Sequence, residues 1–312
     1  MTQIFTLTLA PSLDSATTTA KIYPEGKLRC TSPIFEPGGG GINVARAIVH
    51  LGGQATALFP IGGPTGAHLA ELLKEDGITI STLETQDWTR QNLHVHTDST
   101  GEQYRFVMPG ARLTSEEFSR IEQLVEKIPS GSLLVISGSL PPGTDVSSLT
   151  SLIQKAQKSG LKCILDSSGK ALSAGLELGG LALVKPNQNE LAALVGYDLD
   201  EPDAVVDAAR SIISQGGAER VVVSLGPQGA LAVDKYESFQ VVPPPVKKMS
   251  TVGAGDSMVG AMTLKLSTGA DLRDIVRYGV AAGSAATLNL GTRLCSNEDT
   301  QRFYNYLCRN NK

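Results

Sequence analysis

Two glycines and an acid meet at the entry of an apolar, helix-forming stretch in Ser250-Thr251-Val252-Gly253-Ala254-Gly255-Asp256-Ser257. Glycine lets the backbone turn sharply and approach a ligand. A helix beginning near Ala254 leaves its first N–H groups without intrahelical acceptors, at the positive end of its dipole. Such a terminus stabilises the negative charge that spreads over a phosphoryl group in transfer. A carboxylate in the same turn can accept the proton of an attacking hydroxyl. Asp256 is therefore a candidate catalytic base, with the amides of Gly253, Ala254, Gly255 and Asp256 as an anion hole. By itself the spacing also suits Gly255 as a plain helix entry and Asp256 as a capping acid.

Two nucleotide signatures are absent. No G-x-x-x-x-G-K-[ST] occurs, and no G-x-G-x-x-G: the window from Gly253 has Met258 at its third glycine position and the window from Gly38 has Asn43. A P-loop enzyme and a dinucleotide-binding oxidoreductase both lose their main support. His94 and His96 alternate on one extended segment and read as packing or surface residues rather than metal ligands. Cys30, Cys163, Cys295 and Cys308 form no C-x-x-C pair, so zinc and dithiol chemistry find no support and reduced thiols are expected.

The elements that must position Asp256 follow a regular pattern. Helices are predicted near 115–127, 146–159, 188–195, 203–215 and 254–267. Between them lie short apolar runs: Leu133–Ile136, Lys162–Leu165, Leu181–Val184 and Val221–Ser224. Continuous, β-branched runs of this kind read as buried parallel strands. Earlier, Ile4–Leu9 and Ala55–Phe59 read as strands, and the glycine run Gly38–Gly41 leads into a helix over Ile42–Ile48, followed by another over 66–74. The expected fold is α/β, a doubly wound, mostly parallel sheet with helices on both faces. Residues 14–36 and 88–107 lack helical pattern and are expected to pair as a small β-strand lid. The expected division is a core of 1–13, 37–86 and 109–312 with a lid of 14–36 and 87–108. In open α/β sheets ligands bind beyond the carboxyl ends of the strands. That rule points to Asp14, Ser139, Asp166, Lys185-Pro186-Asn187 and Leu225-Gly226.

Composition narrows the classes. With 312 residues, 41% hydrophobic content and a net charge of −4, the chain resembles a globular protein without the basic excess of a nucleic-acid or membrane-surface binder. No apolar run approaches the roughly 18 residues of a membrane span. The segment Met1–Leu7 lacks the basic start and apolar stretch of a secretory signal. A cytoplasmic location is expected.

Three motifs together, Gly38-Gly39-Gly40-Gly41-Ile42-Asn43-Val44-Ala45, Asn187-Gln188-Asn189-Glu190 and Gly253-Ala254-Gly255-Asp256, resemble those of the ribokinase-like (PfkB) carbohydrate kinases, in the same order and over essentially the whole chain. The resemblance implies an ATP-dependent kinase with Asp256 as base. It implies Asp14, Gly39 and Asn43 at the sugar hydroxyls, Ser139 nearby, and Arg90, Arg105 and Lys27 at a substrate phosphate, which arginine matches bidentately. Lys27 could serve a neighbouring subunit's site, because family lids pack on one another; a homodimer through the lid is expected. For ATP it implies Lys185, Asn187, Ser224, Gly226, Gly229 and Ser284, and for Mg²⁺ Asn187 with Glu190, partly through water. Ser250, Val252, Ala286, Asn289, Gly291 and Arg293 match a K⁺ site, with Ser250 where many members carry Asp. The glycine run resembles a hinge for lid closure.

The implied reaction phosphorylates fructose 6-phosphate at its 1-hydroxyl. Tagatose 6-phosphate and fructose 1-phosphate are the alternatives, since sugars differing in one hydroxyl or phosphate position are separated by single hydrogen bonds. A non-catalytic sugar-phosphate sensor would require loss of Asp256, Asn187 or Glu190, and all three are present.

Overall fold

The computed structural model describes residues 2–289, 291 and 293–310; residues 1, 290, 292, 311 and 312 of the expected core lie outside them. The chain opens with β1 (Ile4–Leu7), β2 (Ser12–Thr19), β3 (Ile34–Gly38), α1 (Gly40–His50), β4 (Thr56–Ile61), α2 (Gly63–Glu75) and β5 (Thr79–Glu84). Next come β6 (Arg90–Thr97), β7 (Gln103–Phe106), α3 (Ser115–Glu126), β8 (Leu133–Ser137), α4 (Val146–Lys158), β9 (Lys162–Asp166), α5 (Gly169–Leu178) and β10 (Leu183–Val184). It closes with α6 (Gln188–Val195), α7 (Pro202–Ser214), β11 (Val221–Ser224), β12 (Ala230–Val233), β13 (Ser238–Val241), α8 (Ala254–Ser267), α9 (Leu272–Ala286) and α10 (Asn297–Asn310).

Nine strands form the main sheet in the order β13-β12-β11-β10-β9-β8-β1-β4-β5. From β11 to β5 every neighbouring pair is parallel; the β12–β13 hairpin closes one edge antiparallel. Because side chains alternate along a strand, the central strands feed two cores. In β8, Leu133 and Val135 pack with Ile42, Leu69, Met258 and Ile275 of α1, α2, α8 and α9, whereas Leu134 and Ile136 pack with Phe118, Leu149, Leu172 and Val205 of α3, α4, α5 and α7. Burial on both faces is why these runs are apolar throughout.

Successive strands leave β1 in opposite directions, toward β4 on one side and toward β8 on the other, so the sheet's switch point lies between β1 and β8. The glycine run sits there. A Cβ on Gly40 would stand 2.4 Å from Ser137 Oγ at the end of β8, and one on Gly41 would stand 2.6 Å from Leu7 O at the end of β1. Only residues without a side chain let α1 begin so close to the strand ends.

A second sheet of four strands has the order β3-β2-β6-β7. Here β2 pairs with β6 in parallel, with Asp14 beside Asn92 and Ser12 beside Arg90, and β7 adds antiparallel with Arg105 beside His94. Between β2 and β3, residues 20–33 are exposed throughout. Asp14 thus lies within β2, not in a loop following β1. His94 is buried and His96 exposed.

Candidate active site

Asp256 occupies the first turn of α8, whose N-terminus has no side-chain cap and is preceded by Gly253 in the left-handed region at φ 74°. Ala254 N makes only a long 3.4 Å bond to Thr251 O, so the helix terminus remains open to an external acceptor. A glycine at position 255 leaves this terminus open: the nearest neighbour of a Cβ there would be Lys185 Nζ at 3.8 Å. Asn43, on α1, donates its Nδ2 hydrogen to Asp256 Oδ2 at 2.9 Å. The two helices bearing this pair touch closely because Gly260 lets α8 lie on α1; a Cβ there would come within 2.9 Å of Ala47 Cβ.

The charges around this turn are coupled. Lys185, directly after β10, is buried and pairs with Asp166 Oδ1 at 3.3 Å. Burial alone would lower its pKa, but Asp166, Asp256 and Glu190 outweigh that and hold the amine above its ordinary value. Burial and the Asp166 charge push Asp256 up to about 7, against the opposing pull of the Asn43 hydrogen bond and Lys185. A carboxylate poised near neutrality suits proton transfer at physiological pH.

On the adjoining strand ends, Asn187 caps α6. Its side chain accepts from Glu190 N at 2.8 Å, and its own N–H donates to Glu190 Oε2 at 2.8 Å. One oxygen of Glu190 is thus used by the cap and the other remains for a ligand. Among the described residues no group of three or more His, Cys, Asp or Glu side chains is placed to hold a metal. This donor set fits Mg²⁺, which keeps several waters and relies on substrate phosphates. Asn187 forms a bridge with Ser224, and Gly226 and Gly229 turn the β11–β12 hairpin at φ 57° and 88°. Ser284, in α9, donates its hydroxyl to Val280 O at 2.7 Å.

The smaller sheet supplies a second group of polar side chains. Asp14 Oδ1 accepts from Ser12 Oγ at 2.7 Å and from Asn92 Nδ2 at 2.8 Å, while a Cβ on Gly38 would lie 2.5 Å from Oδ2. Gly39, at φ 119°, caps α1. Arg90 donates to Met108 O and Ala10 O, both at 3.0 Å, and its buried Nε has no partner. Burial lowers the Arg90 pKa and Asp14 opposes this; a guanidinium stays charged regardless. An orphaned charged donor beside Asp14 is what a phosphate-bearing ligand would satisfy. Arg105 and Ser139 are exposed, and Lys27 lies in the exposed 20–33 segment. The structure does not join these three to Arg90 within one chain by any hydrogen bond.

Of the residues matched to a K⁺ site, Ser250, Val252 and Gly291 meet at the turn before α8, next to the end of α9 that carries Ala286, while no hydrogen bond among the described residues brings Arg293 there. Ser250 Oγ donates to Gly291 O at 2.9 Å and accepts from Val252 N at 3.2 Å. Asn289 N donates to Ala286 O at 3.1 Å, and Arg293 is exposed. The Ser250 hydroxyl ties together backbone that a carboxylate would otherwise face.

Asn92 has no site signal in the sequence: it orients Asp14, which is visible only once strand register is known. Asp166 is one of the strand-end polar residues, yet nothing in its local sequence indicates that it meets Lys185.

Among the described residues no helix is long and apolar enough to cross a membrane. The chain is 66% identical over 309 residues to ATP-dependent 6-phosphofructokinase isozyme 2 of Escherichia coli strain K12, covering 99% of this chain and 100% of the relative. Its backbone matches crystal structures of Escherichia coli phosphofructokinase-2 in complex with fructose-6-phosphate, at TM-score 0.95 and 65% identity, and in complex with potassium, at TM-score 0.97 and 66% identity. Each match covers 99% of this chain and 100% of the other. The pattern of the pfkB family carbohydrate kinases extends over residues 7–299. This chain belongs to that family.

Proposed function

We propose that the protein transfers the γ-phosphoryl group of ATP to the 1-hydroxyl of fructose 6-phosphate, giving fructose 1,6-bisphosphate and ADP. The observation that carries the reading is Asp256, a carboxylate poised near neutrality at an uncapped helix N-terminus. Likeness to the Escherichia coli enzyme and to its fructose-6-phosphate complex supports the substrate.

Asp256 accepts the proton of the sugar hydroxyl as its oxygen attacks the γ-phosphorus. The first amides of α8 bind the oxygens of the transferring group, and Lys185 neutralises charge beside them. Asn43 orients Asp256 through the hydrogen bond at its Oδ2. Asp14, held by Ser12 and Asn92, accepts from sugar hydroxyls, and Gly39 allows their close approach. Ser139, Arg90, Arg105 and Lys27 bind the 6-phosphate side, Lys27 from a neighbouring subunit. Asn187, Ser224, Gly226, Gly229 and Ser284 line the nucleotide. Mg²⁺, when bound near Asn187 and Glu190, neutralises phosphate charge. K⁺ at the turn of Ser250, Val252, Ala286, Asn289, Gly291 and Arg293 would reinforce the anion hole. The division into a core and a lid of 14–36 and 87–108 follows from the same reading, with a homodimer formed lid to lid in the cytoplasm.

An ADP-release assay across fructose 6-phosphate, tagatose 6-phosphate, fructose 1-phosphate and ribose tests the proposal. The highest kcat/KM is expected on fructose 6-phosphate. A higher value on free ribose would overturn the sugar-phosphate assignment.

A further inference from the structure

Lys185 faces three carboxylates, those of Asp166, Asp256 and Glu190, from a buried position at the end of β10. Its ion pair is with Asp166, at 3.3 Å from Oδ1. The other oxygen of Asp166 accepts from Ser137 Oγ at 3.1 Å, and the Asp166 carbonyl accepts from Gly138 N at 3.1 Å. The ends of β8 and β9 thus clamp this side chain with both of its oxygens engaged. Asp256 is bonded instead to Asn43.

We propose that Asp166 is a positioning residue for phosphoryl transfer: it anchors the Lys185 ammonium beside Gly255 and so keeps that ammonium off Asp256. The inference rests on the kinase reading above and deepens it. A lysine is a compact charge on a flexible four-carbon stem, and a buried ammonium without a partner is strongly disfavoured. With Asp166 removed, the carboxylates whose charge still acts on the amine are those of Asp256 and Glu190. An ammonium bonded to Asp256 would occupy the lone pairs that must receive the sugar proton, and would make the carboxylate a weaker base. It would also leave the place beside the α8 N-terminus where a phosphate oxygen needs it. Asp166 acts in both respects through Lys185 and need touch neither substrate.

The test is Asp166→Asn, which keeps the size and the Ser137 hydrogen bond but removes the charge. KM for ATP is expected to rise about tenfold and kcat to fall by a comparable factor. The groups facing Asp256 are Asp166, Lys185 and Asn43. Losing the first and freeing the second both favour the ionised base, so the acid limb of kcat/KM for the sugar phosphate should move to lower pH. Loss of the Asp166 charge would by itself move that limb without touching ATP binding, so the positioning role is read from the limb and KM for ATP moving together. Asp166→Glu should recover part of the ATP affinity, because a carboxylate is restored. If Asp166→Asn does not fold, Ser137→Ala, which frees one oxygen of Asp166, decides: a shift in the same directions supports the inference. A folded variant with wild-type KM for ATP overturns it, whatever the acid limb does. Absence of ATP-dependent turnover in the wild-type protein would instead sink the kinase reading, so the two failures are distinguishable.

Discussion

Asp256 sets the terms at the scale of single residues, because its pKa of about 7 links catalysis and stability. A base must be ionised, so kcat/KM should fall as pH drops below about 7; a flat profile down to pH 5.5 would contradict the assignment. The linkage to folding has the opposite sense. The folded pKa lies above that of the unfolded chain, so the folded state binds the proton more tightly. Stability is highest below the unfolded value and is lost as pH rises toward about 7. Asp256→Asn removes that penalty. It should lower kcat by several orders of magnitude while raising Tm by several degrees at pH 8, with no gain near pH 4. A variant with near-normal turnover, or with no gain in Tm at pH 8, would show that the carboxylate does not hold this position. Arg90 offers a second check. Arg90→Lys keeps a charge but loses the orphaned Nε donor, and is expected to raise KM for fructose 6-phosphate about tenfold with a smaller change in KM for ATP. Equal changes in both constants would place Arg90 away from the sugar phosphate. Of these residues, Asp256 and Asn43 stood out in the sequence as parts of separate motifs, 213 positions apart. Their contact was not legible, nor was that of Asp166 with Lys185, because both depend on which strand ends and helix termini the fold juxtaposes.

Elements hold those residues in place, and the contact between α1 and α8 is the critical one. The α8 helix is buried on most sides, with Met258, Val259, Ala261 and Met262 all in the core. Its height over α1 is set by Gly260, which faces Ala47 and the Val44 carbonyl. Gly260→Val would push the helices apart and lengthen the Asn43–Asp256 hydrogen bond. We expect kcat to fall at least about tenfold, with Tm lowered as well through overpacking. Full activity in this variant would mean that the two helices do not fix the base. How far the elements could be read from sequence depended on burial. The strands β8, β9 and β11 and the helices α3, α4, α6 and α7 were visible to within a residue or two, because each carries an apolar run or a 3.6-residue period, whereas α8, apolar on most sides, was marked by its glycine entry and its overall apolar content. The edge strand β5 was not, since only Leu83 of it is buried. Nor was α10, a largely polar helix that buries only Thr300, Phe303 and Leu307.

The arrangement of the whole molecule turns on the four-stranded sheet. Exposed apolar side chains gather there and in the segment beside it: Tyr23, Ile34, Leu93, Tyr104, Phe106 and Met108 are all at least about one third accessible. The outer strands β3 and β7 also have no strand neighbour on their far sides among the described residues, a position that folded proteins ordinarily cover. By register, Leu93 and Phe106 lie side by side on one face, away from the face that carries Arg90 and Arg105. A second copy of the chain, packed lid to lid, would bury these side chains and bring its Lys27 within reach of the partner's phosphate site. If the lid is ordered by that contact, dissociation should weaken sugar-phosphate binding more than ATP binding, since the residues proposed for the nucleotide all lie on the main sheet and its helices. The double substitution Leu93→Asp and Phe106→Asp places four like charges at such an interface. Analytical ultracentrifugation should then report a monomer at micromolar concentration, and steady-state kinetics should show KM for fructose 6-phosphate raised about tenfold or more with KM for ATP little changed. A variant that remains dimeric would move the interface elsewhere. A monomer with the wild-type KM for the sugar phosphate would show that each subunit completes its own site, with Lys27 acting within its own chain or not at all.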